Sequence, residues 1–536
     1  MDLKEKKLKV GIILDSLDVP KWIGKIITDL FKIDFVVLKI AYKSRRDNQY
    51  QFNKKNNYNC LYKKYCNFDY KYYSTKVKEN AFEKMNLEEF LDQLSNNADL
   101  FRTDSINLSE VEIETIKNDK FDVVIQFGAR ELLDKLVGIS KYGIWYYPHD
   151  SFGEGYIYEP SFFRSMFHKN TPLEITLNTI MNDSQNSKII YKSQSSVTKG
   201  SLFIHSNQVY WKSAEFIKRK LYDLYEGKLV SINESEGKSK QKEYKKVKNV
   251  ETINLFLNLT IEKVKSRLYK EQWFLAYKNN MDENFKLIKP PADRFYADPF
   301  IIKKDNRTFI FFEEFIYSKG KGDISVFEID PESNTNSKPV TILDKPYHLS
   351  YPFLYEWEDE IYMIPETSGN RTVEIYKATK FPYEWELEKV LIDNINAVDA
   401  TVIHYNNKFW MFANVFVDGS SSLDELHIFY SESLLGEWKP HLMNPVVSNA
   451  SSARPAGNIF LKDGKLIRPS QDCSFSYGHS VKFNEIVELT EENYNERLQF
   501  EMKPDWLKNN KGTHTYNFNE DYEVIDGRMM KSRIFK

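Results

Sequence analysis

Up to about residue 230, short apolar runs alternate with helical periods. The segments 9–14, 35–40, 121–127 and 143–147 predict buried strands, and 22–31 and 132–137 predict helices. Such alternation predicts a parallel sheet with helices on its faces. A polar, Tyr-rich stretch at about 41–78 interrupts the pattern and reads as an insertion. Residues 231–270 read as a polar, Lys-rich linker and a connecting helix. From 271 the texture changes to short β-rich runs separated by turns, which predicts an all-β region.

That region repeats. Asp298-Pro299-Phe300 leads through a turn at Asp305-Asn306 to Phe311-Phe312-Glu313-Glu314. Tyr351-Pro352-Phe353 leads through Glu358-Asp359 to Ile364-Pro365-Glu366. Asp399-Ala400-Thr401 leads through Asn406-Asn407 to Phe412-Ala413-Asn414, and Arg454-Pro455-Ala456 leads through Asp463-Gly464 to Pro469-Ser470-Gln471. A weaker copy runs from His514 through Asn519 to Gly527. One hairpin-led unit per roughly fifty residues is the size of a four-stranded propeller blade. Five units predict a five-bladed β-propeller over 271–536, after an α/β domain over 1–230. The fold class is thus two-domain, α/β plus all-β.

In a propeller the opening residues of successive blades converge on a central funnel. Asp298, Glu366, Asp399, Arg454, Gln471 and His514 occupy equivalent places in different blades, with Tyr351 opening the second. Glycosyl chemistry needs one protonated and one ionised carboxyl on either side of the anomeric carbon. Asp298, Glu366 and Asp399 are therefore the candidate catalytic residues, and Tyr351, Arg454, Gln471 and His514 the candidate substrate-binding residues. The same acids can also cap strand ends, or hold sugar hydroxyls without catalysis.

The Asp298-Pro-Phe, Phe311-Phe-Glu-Glu314, Tyr351-Pro-Phe, Met363-Ile-Pro-Glu366, Phe381-Pro-Tyr-Glu-Trp385 and Arg454-Pro-Ala-Gly457 motifs resemble the propeller that precedes the transferase domain in glucosamine inositolphosphorylceramide transferases. That propeller looks in turn like the five-bladed arabinanase and xylosidase type of glycoside hydrolase. The hydrolase resemblance implies Asp298 as general base, with a second Asp and a Glu in the other two roles. The N-terminal region, through 121–127, Gly143-Ile-Trp-Tyr-Tyr-Pro-His149-Asp-Ser151 and 173–190, is similar to the formyltransferase fold, a Rossmann-type parallel sheet. That resemblance implies a catalytic Asn-x-His and a later Asp. His149 matches the His and is kept as a candidate substrate-binding residue. Tyr147 stands where the Asn would be, and Gln185, near Asp183, where the Asp would be. Neither supplies the required donor, acceptor or base, so formyl transfer with a folate donor is not expected.

Composition narrows the remaining classes. The 536 residues carry a formal net charge of −2 with 28% charged and 15% aromatic residues, and the basic stripe of a nucleic-acid binder is missing. A GxGxxG does not follow the first strand, so the dinucleotide fingerprint is absent. Cys60, Cys66 and Cys473 lack metal-ligand spacing and suit a reducing compartment, which with the charged N-terminus predicts a cytoplasmic protein. Neither a metal nor a cofactor is expected. The expected role is in building or modifying a surface glycan, as a sugar transferase or its sugar-binding module. Its partners would be a sugar, nucleotide-sugar or glycolipid, with peripheral membrane contact and oligomeric state left open. An inverting glycoside hydrolase, a non-catalytic glycan-binding protein and a sugar N-formyltransferase are the alternatives.

Overall fold

A computed structural model of the chain describes residues 7–43, 59–88, 98–103, 113–114, 117–127, 136–148, 160–167, 172–181, 187–228, 247–330 and 335–533. His149, Asp183 and Gln185 lie outside the described residues, as do 44–58 of the Tyr-rich stretch and 231–246 of the expected linker. The chain divides into two compact units. One comprises Met1–Ser193, Thr198–Leu257 and Asp418–Ser420, the other Gln194–Val197, Asn258–Val417 and Ser421–Lys536.

The first unit is built on a seven-stranded sheet. Its strands are β1 (Leu8–Leu14), β2 (Val36–Lys43), β3 (Ala98–Thr103), β4 (Val123–Gln126), β5 (Ile144–Tyr146), β6 (Leu173–Ile180) and β7 (Lys188–Ser195), in spatial order β3-β2-β1-β4-β5-β6-β7. Neighbours from β3 through β5 run parallel, whereas β6 pairs antiparallel with β5. The sheet is therefore mixed, where the alternation of runs predicted parallel pairing throughout. Burial of β1 from Val10 onward and of β4 explains their apolar sequences, with Lys9 half-buried near the start of β1 and Gln126 ending β4. Helix α1 (Lys21–Phe31) buries Trp22, Ile23, Ile26, Ile27 and Leu30 on one face. Within the Tyr-rich stretch, α2 (Cys60–Tyr73) buries Tyr62, Tyr65, Cys66 and Asp69 at spacings of three and four. Tyr147 is also buried: its ring packs on Trp22 and its hydroxyl donates to the Ser213 carbonyl at 2.5 Å.

The second unit holds five sheets arranged as propeller blades. Blade one runs Arg294–Lys304, Arg307–Ile316, Lys321–Asp330 and Val340–Leu343. Blade two runs Ser350–Trp357, Glu360–Glu366, Thr372–Lys380 and Glu384–Asp393. Blade three runs Ala397–Tyr405, Lys408–Val415, Glu425–Ser431 and Lys439–Pro440, and blade four Phe460–Lys462, Lys465–Asp472, Ser480–Leu489 and Tyr494–Met502. Blade five joins both ends of the unit: Tyr516–Phe518 and Tyr522–Ser532 pair with Tyr269–Asn279 and Lys286–Ile288. The weak fifth repeat is thus half a blade, completed by strands that precede the first repeat. An eleven-pair ladder from Tyr269↔Ser532 to Asn279↔Tyr522 closes the ring.

Two backbone devices recur in the blades. The hairpin turns at Asp305-Asn306, Glu358-Asp359, Asn406-Asn407 and Asp463-Gly464 all have positive φ at both residues. This is the two-residue turn that follows strand twist and favours Asn, Asp and Gly. The innermost strands of blades one to three each carry a register shift, between Ala297 and Phe300, Ser350 and Phe353, and Val398 and Thr401. Inside these bulges Asp298, Tyr351 and Asp399 have φ of 52°, 44° and 57°. Left-handed backbone at a residue with a Cβ costs about 1–2 kcal/mol, and a bulge re-aims the side chain it carries. The surrounding bonds hold that conformation. The Tyr351 hydroxyl accepts the Gly457 N–H at 2.8 Å and meets the Thr401 hydroxyl at 2.8 Å, both buried. Tyr351→Phe leaves that N–H without its acceptor and is expected to destabilise the unit by about 1–3 kcal/mol, measured as a lowered denaturant midpoint.

Candidate functional site

The blade openings converge on a pocket of about 190 Å³. Pockets for drug-sized ligands run from about 300 Å³ upward, so this one suits a ligand on the scale of a single sugar ring. Trp273, Phe295, Phe315 and Tyr477 supply aromatic walls. Asp298, Glu313 and Glu366 supply carboxylates, and Arg454, His348 and His514 supply donors. Gly478 permits the close approach of the loop that carries Tyr477. Its φ is +58°, and a Cβ there would stand 2.8 Å from both His514 and Trp273.

Asp298 is held by its surroundings at both oxygens. Oδ1 accepts the Thr515 hydroxyl at 2.6 Å and lies 3.2 Å from His514 Nε2, while Oδ2 accepts the Tyr351 N–H at 3.3 Å. The other His514 nitrogen, Nδ1, is paired at 2.6 Å with Asp526 Oδ2. Asp526 in turn accepts the N–H groups of His514 at 2.8 Å, Thr515 at 3.2 Å and Asp298 at 3.3 Å. A buried line Asp526–His514–Asp298 therefore ends at the pocket. These three residues are also the group among the described residues whose possible metal-ligand atoms fall within 4.8 Å of one another. The 2.6 Å approach of His514 Nδ1 to Asp526 is an ion-pair contact without hydrogen-bond geometry among the described residues, and Asp526 spends its oxygens on three backbone N–H groups as well.

Burial raises the Asp298 pKa, with His514 pulling the other way. For His514 burial opposes the charged form, but Asp526 and Asp298 outweigh it and the pKa is raised. Glu313 is pushed well above the usual carboxylate range, first by burial and then by the charges of Asp298, Glu366 and Asp399. Its neighbour His348 accepts the Gly322 N–H through Nδ1 at 2.9 Å, which puts the neutral ring's proton on Nε2, 3.6 Å from Glu313 Oε1. Glu366 accepts the Ser350 hydroxyl at 2.9 Å and the Ser368 hydroxyl at 2.6 Å, and Arg454 Nη2 lies 3.8 Å away.

Of the residues singled out in the sequence, Asp298, Glu366, Arg454 and His514 line the pocket. Asp399, Tyr351 and Gln471 lie outside the lining. Asp399 is buried and grips Arg454, with Nε at 2.5 Å and Nη2 at 3.2 Å, while the Gln471 amide donates to it at 3.1 Å. It meets the pocket through Arg454 and cannot itself touch a ligand there. Tyr351 spends its hydroxyl on Thr401 and Gly457. Glu313, His348, Asp526, Thr515 and the aromatic walls were not singled out. Glu313 had a signal, since it sits fifteen positions after Asp298, as Glu366 does after Tyr351. Trp273 had none, because it reaches the pocket only through ring closure.

Residues 288–535 match the sequence family described as glucosamine inositolphosphorylceramide transferase 1, N-terminal. The protein of that name from Oryza sativa subsp. japonica is 42% identical over 205 residues, and its counterpart from Arabidopsis thaliana 36%. The aligned stretch is 38% of this chain but 27% of each relative, so the chain spans about a quarter of their length. Solved structures similar to this chain include Zg3597, a family 117 glycoside hydrolase of Zobellia galactanivorans, at 12% identity over 48% of this chain and 90% of that one, TM-score 0.33. The β-xylosidase RS223 is 11% identical over 44% of this chain and 93% of its own, TM-score 0.33.

Two outcomes are expected. Arg454→Met leaves the buried carboxylates of Asp399 and Glu366 unpaired and destabilises by about 3–5 kcal/mol, measured by chemical denaturation. The raised His514 contributes stability that is complete below the ordinary histidine value of about 6.5 and is lost as pH rises through its folded value. Asp298 and Glu313, as raised acids, also bind protons more tightly folded than unfolded and act in the same direction. The melting temperature should therefore fall as pH rises above about 6.5, and His514→Gln should flatten that slope in a calorimetric pH series.

Proposed function

We propose that the propeller pocket holds one sugar ring of a glycan or glycolipid, and that the protein works in assembling or modifying such a molecule as a sugar transferase. The observation that carries this reading is the pairing of Glu313 with Asp298 in one aromatic-walled pocket. Burial, and after it neighbouring negative charge, push the Glu313 pKa well above the usual carboxylate range, which favours its protonated form. Asp298 faces His514, whose pKa is raised against burial by Asp526 and Asp298 themselves. In this reading Glu313 gives a proton to the departing oxygen, and Asp298 takes one from the attacking hydroxyl. Arg454 and Glu366 hold sugar hydroxyls, and the aromatic walls cover the C–H faces of the ring. The 36–42% identity over 205 residues to proteins named glucosamine inositolphosphorylceramide transferase 1 supports the choice of substrate class.

Hydrolysis is the second reading, because the same acid and base serve when water takes the acceptor's place. We also propose a formyltransferase-like fold for the N-terminal unit, on the motifs around 121–149, without formyl transfer. Tyr147 stands at the position of the required Asn, and its hydroxyl is committed to the Ser213 carbonyl inside the core. A cytoplasmic location remains part of the proposal, on the sparse, free cysteines.

The test is a turnover and binding screen of the full chain against nucleotide-sugars paired with glycolipid acceptors, aryl glycosides and a folate formyl donor. Glu313→Gln and Asp298→Ala are each expected to lower sugar turnover by about 10²–10⁴-fold, with glycosyl transfer to an acceptor exceeding release to water. Turnover unchanged in both variants would remove the pocket from the chemistry. Binding with no turnover in any case would reduce the protein to a sugar-recognition module.

A further inference from the structure

The helix Asn249–Leu268, here α3, buries Thr252 and Leu255. On its other side Val250, Ile253, Leu257, Ile261, Val264 and Leu268 are each 38–63% exposed. Their steps of three and four residues average the 3.6-residue period of a straight α-helix. A coiled-coil seam needs 3.5 to stay in register with its partner. The stripe therefore does not wind around the helix; it forms one flat apolar face along about 27 Å. At about 100° per residue, Lys265 and Arg267 fall on opposite flanks of this stripe, where long basic side chains can lie along apolar surface and reach outward to anionic groups.

A second observation comes from the strands at the end of the helix. Lys270 and Lys531 stand directly opposite each other in the β ladder, and Tyr269 pairs with Ser532 beside them. Arg533 donates its backbone N–H to the Leu268 carbonyl; burial lowers the Lys270 pKa, and the charges of Lys531 and Arg533 add to it. Like charges placed directly opposite in a ladder are destabilising. Glu262 and Asp293 offset part of this charge, Glu262 by pairing with Lys265. Tyr269 and Met530 are exposed on the face of the ladder opposite Lys270 and Lys531.

We propose that α3 and this basic cluster dock the protein flat on an anionic lipid surface. The apolar stripe enters the headgroup–acyl boundary, while Lys265, Arg267, Lys531 and Arg533 meet lipid phosphates and carboxylates; Lys270 spends its ammonium on the Ala292 carbonyl and the Tyr317 ring. The helix is not long and apolar enough to cross a membrane, and it lies on the surface instead. The inference does not depend on what the pocket binds, and its test uses vesicles free of glycolipid.

The experiment is co-sedimentation of the full chain with phosphatidylcholine vesicles, with and without roughly one-third phosphatidylserine. Three forms are compared: wild type, the surface variant Ile261→Ser/Val264→Ser/Leu268→Ser, and the charge variant Lys265→Glu/Arg267→Glu. Circular dichroism confirms that each is folded. Wild type is expected to partition onto anionic vesicles at least about tenfold more than onto neutral ones, and to be released by high salt. Each variant should lose about tenfold or more of that partitioning. Equal sedimentation with neutral and anionic vesicles, or variants that bind as wild type does, would overturn the proposal. So would a wild-type dimer in light scattering that the serine variant abolishes while vesicles recruit nothing, which would assign the stripe to a second copy of the chain.

Discussion

The second unit depends on carboxylate and amide side chains that bond the backbone of one blade to the next. Where five innermost strands converge they cannot extend their ladders to one another, and their buried N–H and C=O groups need other partners. Asp298 of blade one takes the Tyr351 N–H of blade two, and Asp526 of blade five takes the Asp298 N–H of blade one. Asn517 of blade five donates to the Pro299 carbonyl at 2.8 Å and accepts the Asn458 N–H at 2.7 Å. The left-handed bulges at Asp298, Tyr351 and Asp399 turn the blade openings into this network. Strain at each opening is tolerable because several bonds fix it at once.

The same constraint creates the pocket's chemistry. A carboxylate needed to satisfy buried backbone must itself be buried, and burial favours its neutral form. Placing Asp298, Glu313 and Glu366 around one cavity compounds the effect, and the cations Arg454 and His514 offset it. Each cation is anchored from behind, Arg454 by Asp399 and His514 by Asp526. Structural and ligand-facing roles thus meet in single residues. A change at Asp298 disturbs both blade closure and the pocket, whereas a change at Glu313 disturbs mainly the pocket. Glu313 is for that reason the cleaner probe of chemistry.

Much of this propeller was legible from repetition. Two-residue turns favour Asn, Asp or Gly at positive φ, so Asp305-Asn306, Asn406-Asn407 and Asp463-Gly464 marked the hairpins locally, Glu358-Asp359 less clearly, and hairpin spacing then gave the blade count. The missing half of blade five was not legible, since Tyr269–Asn279 carries no repeat motif and pairs with a partner some 250 positions away. Equivalent positions in the repeat predicted which residues converge but not their depth. Asp399 and Asp298 open their blades alike, yet one lies under Arg454 and the other faces the cavity. That difference comes from an arginine in another blade. In the first unit, burial of β1 and β4 was visible as the apolar runs from Val10 and from Val123, while the reversed direction of β6 leaves no trace in its own sequence. The α3 stripe was present in the sequence as a helical period, but only the burial of Thr252 and Leu255 shows which face is left outside.

The central claim is that a sugar ring occupies the aromatic-walled pocket at the propeller centre. Saturation-transfer NMR on the full chain, with a panel of monosaccharides and their nucleotide conjugates, tests it most directly. Transfer should concentrate on the C–H protons of one sugar face and disappear in Trp273→Ala. Absence of transfer to every sugar in the panel, or transfer that Trp273→Ala leaves intact, would contradict it.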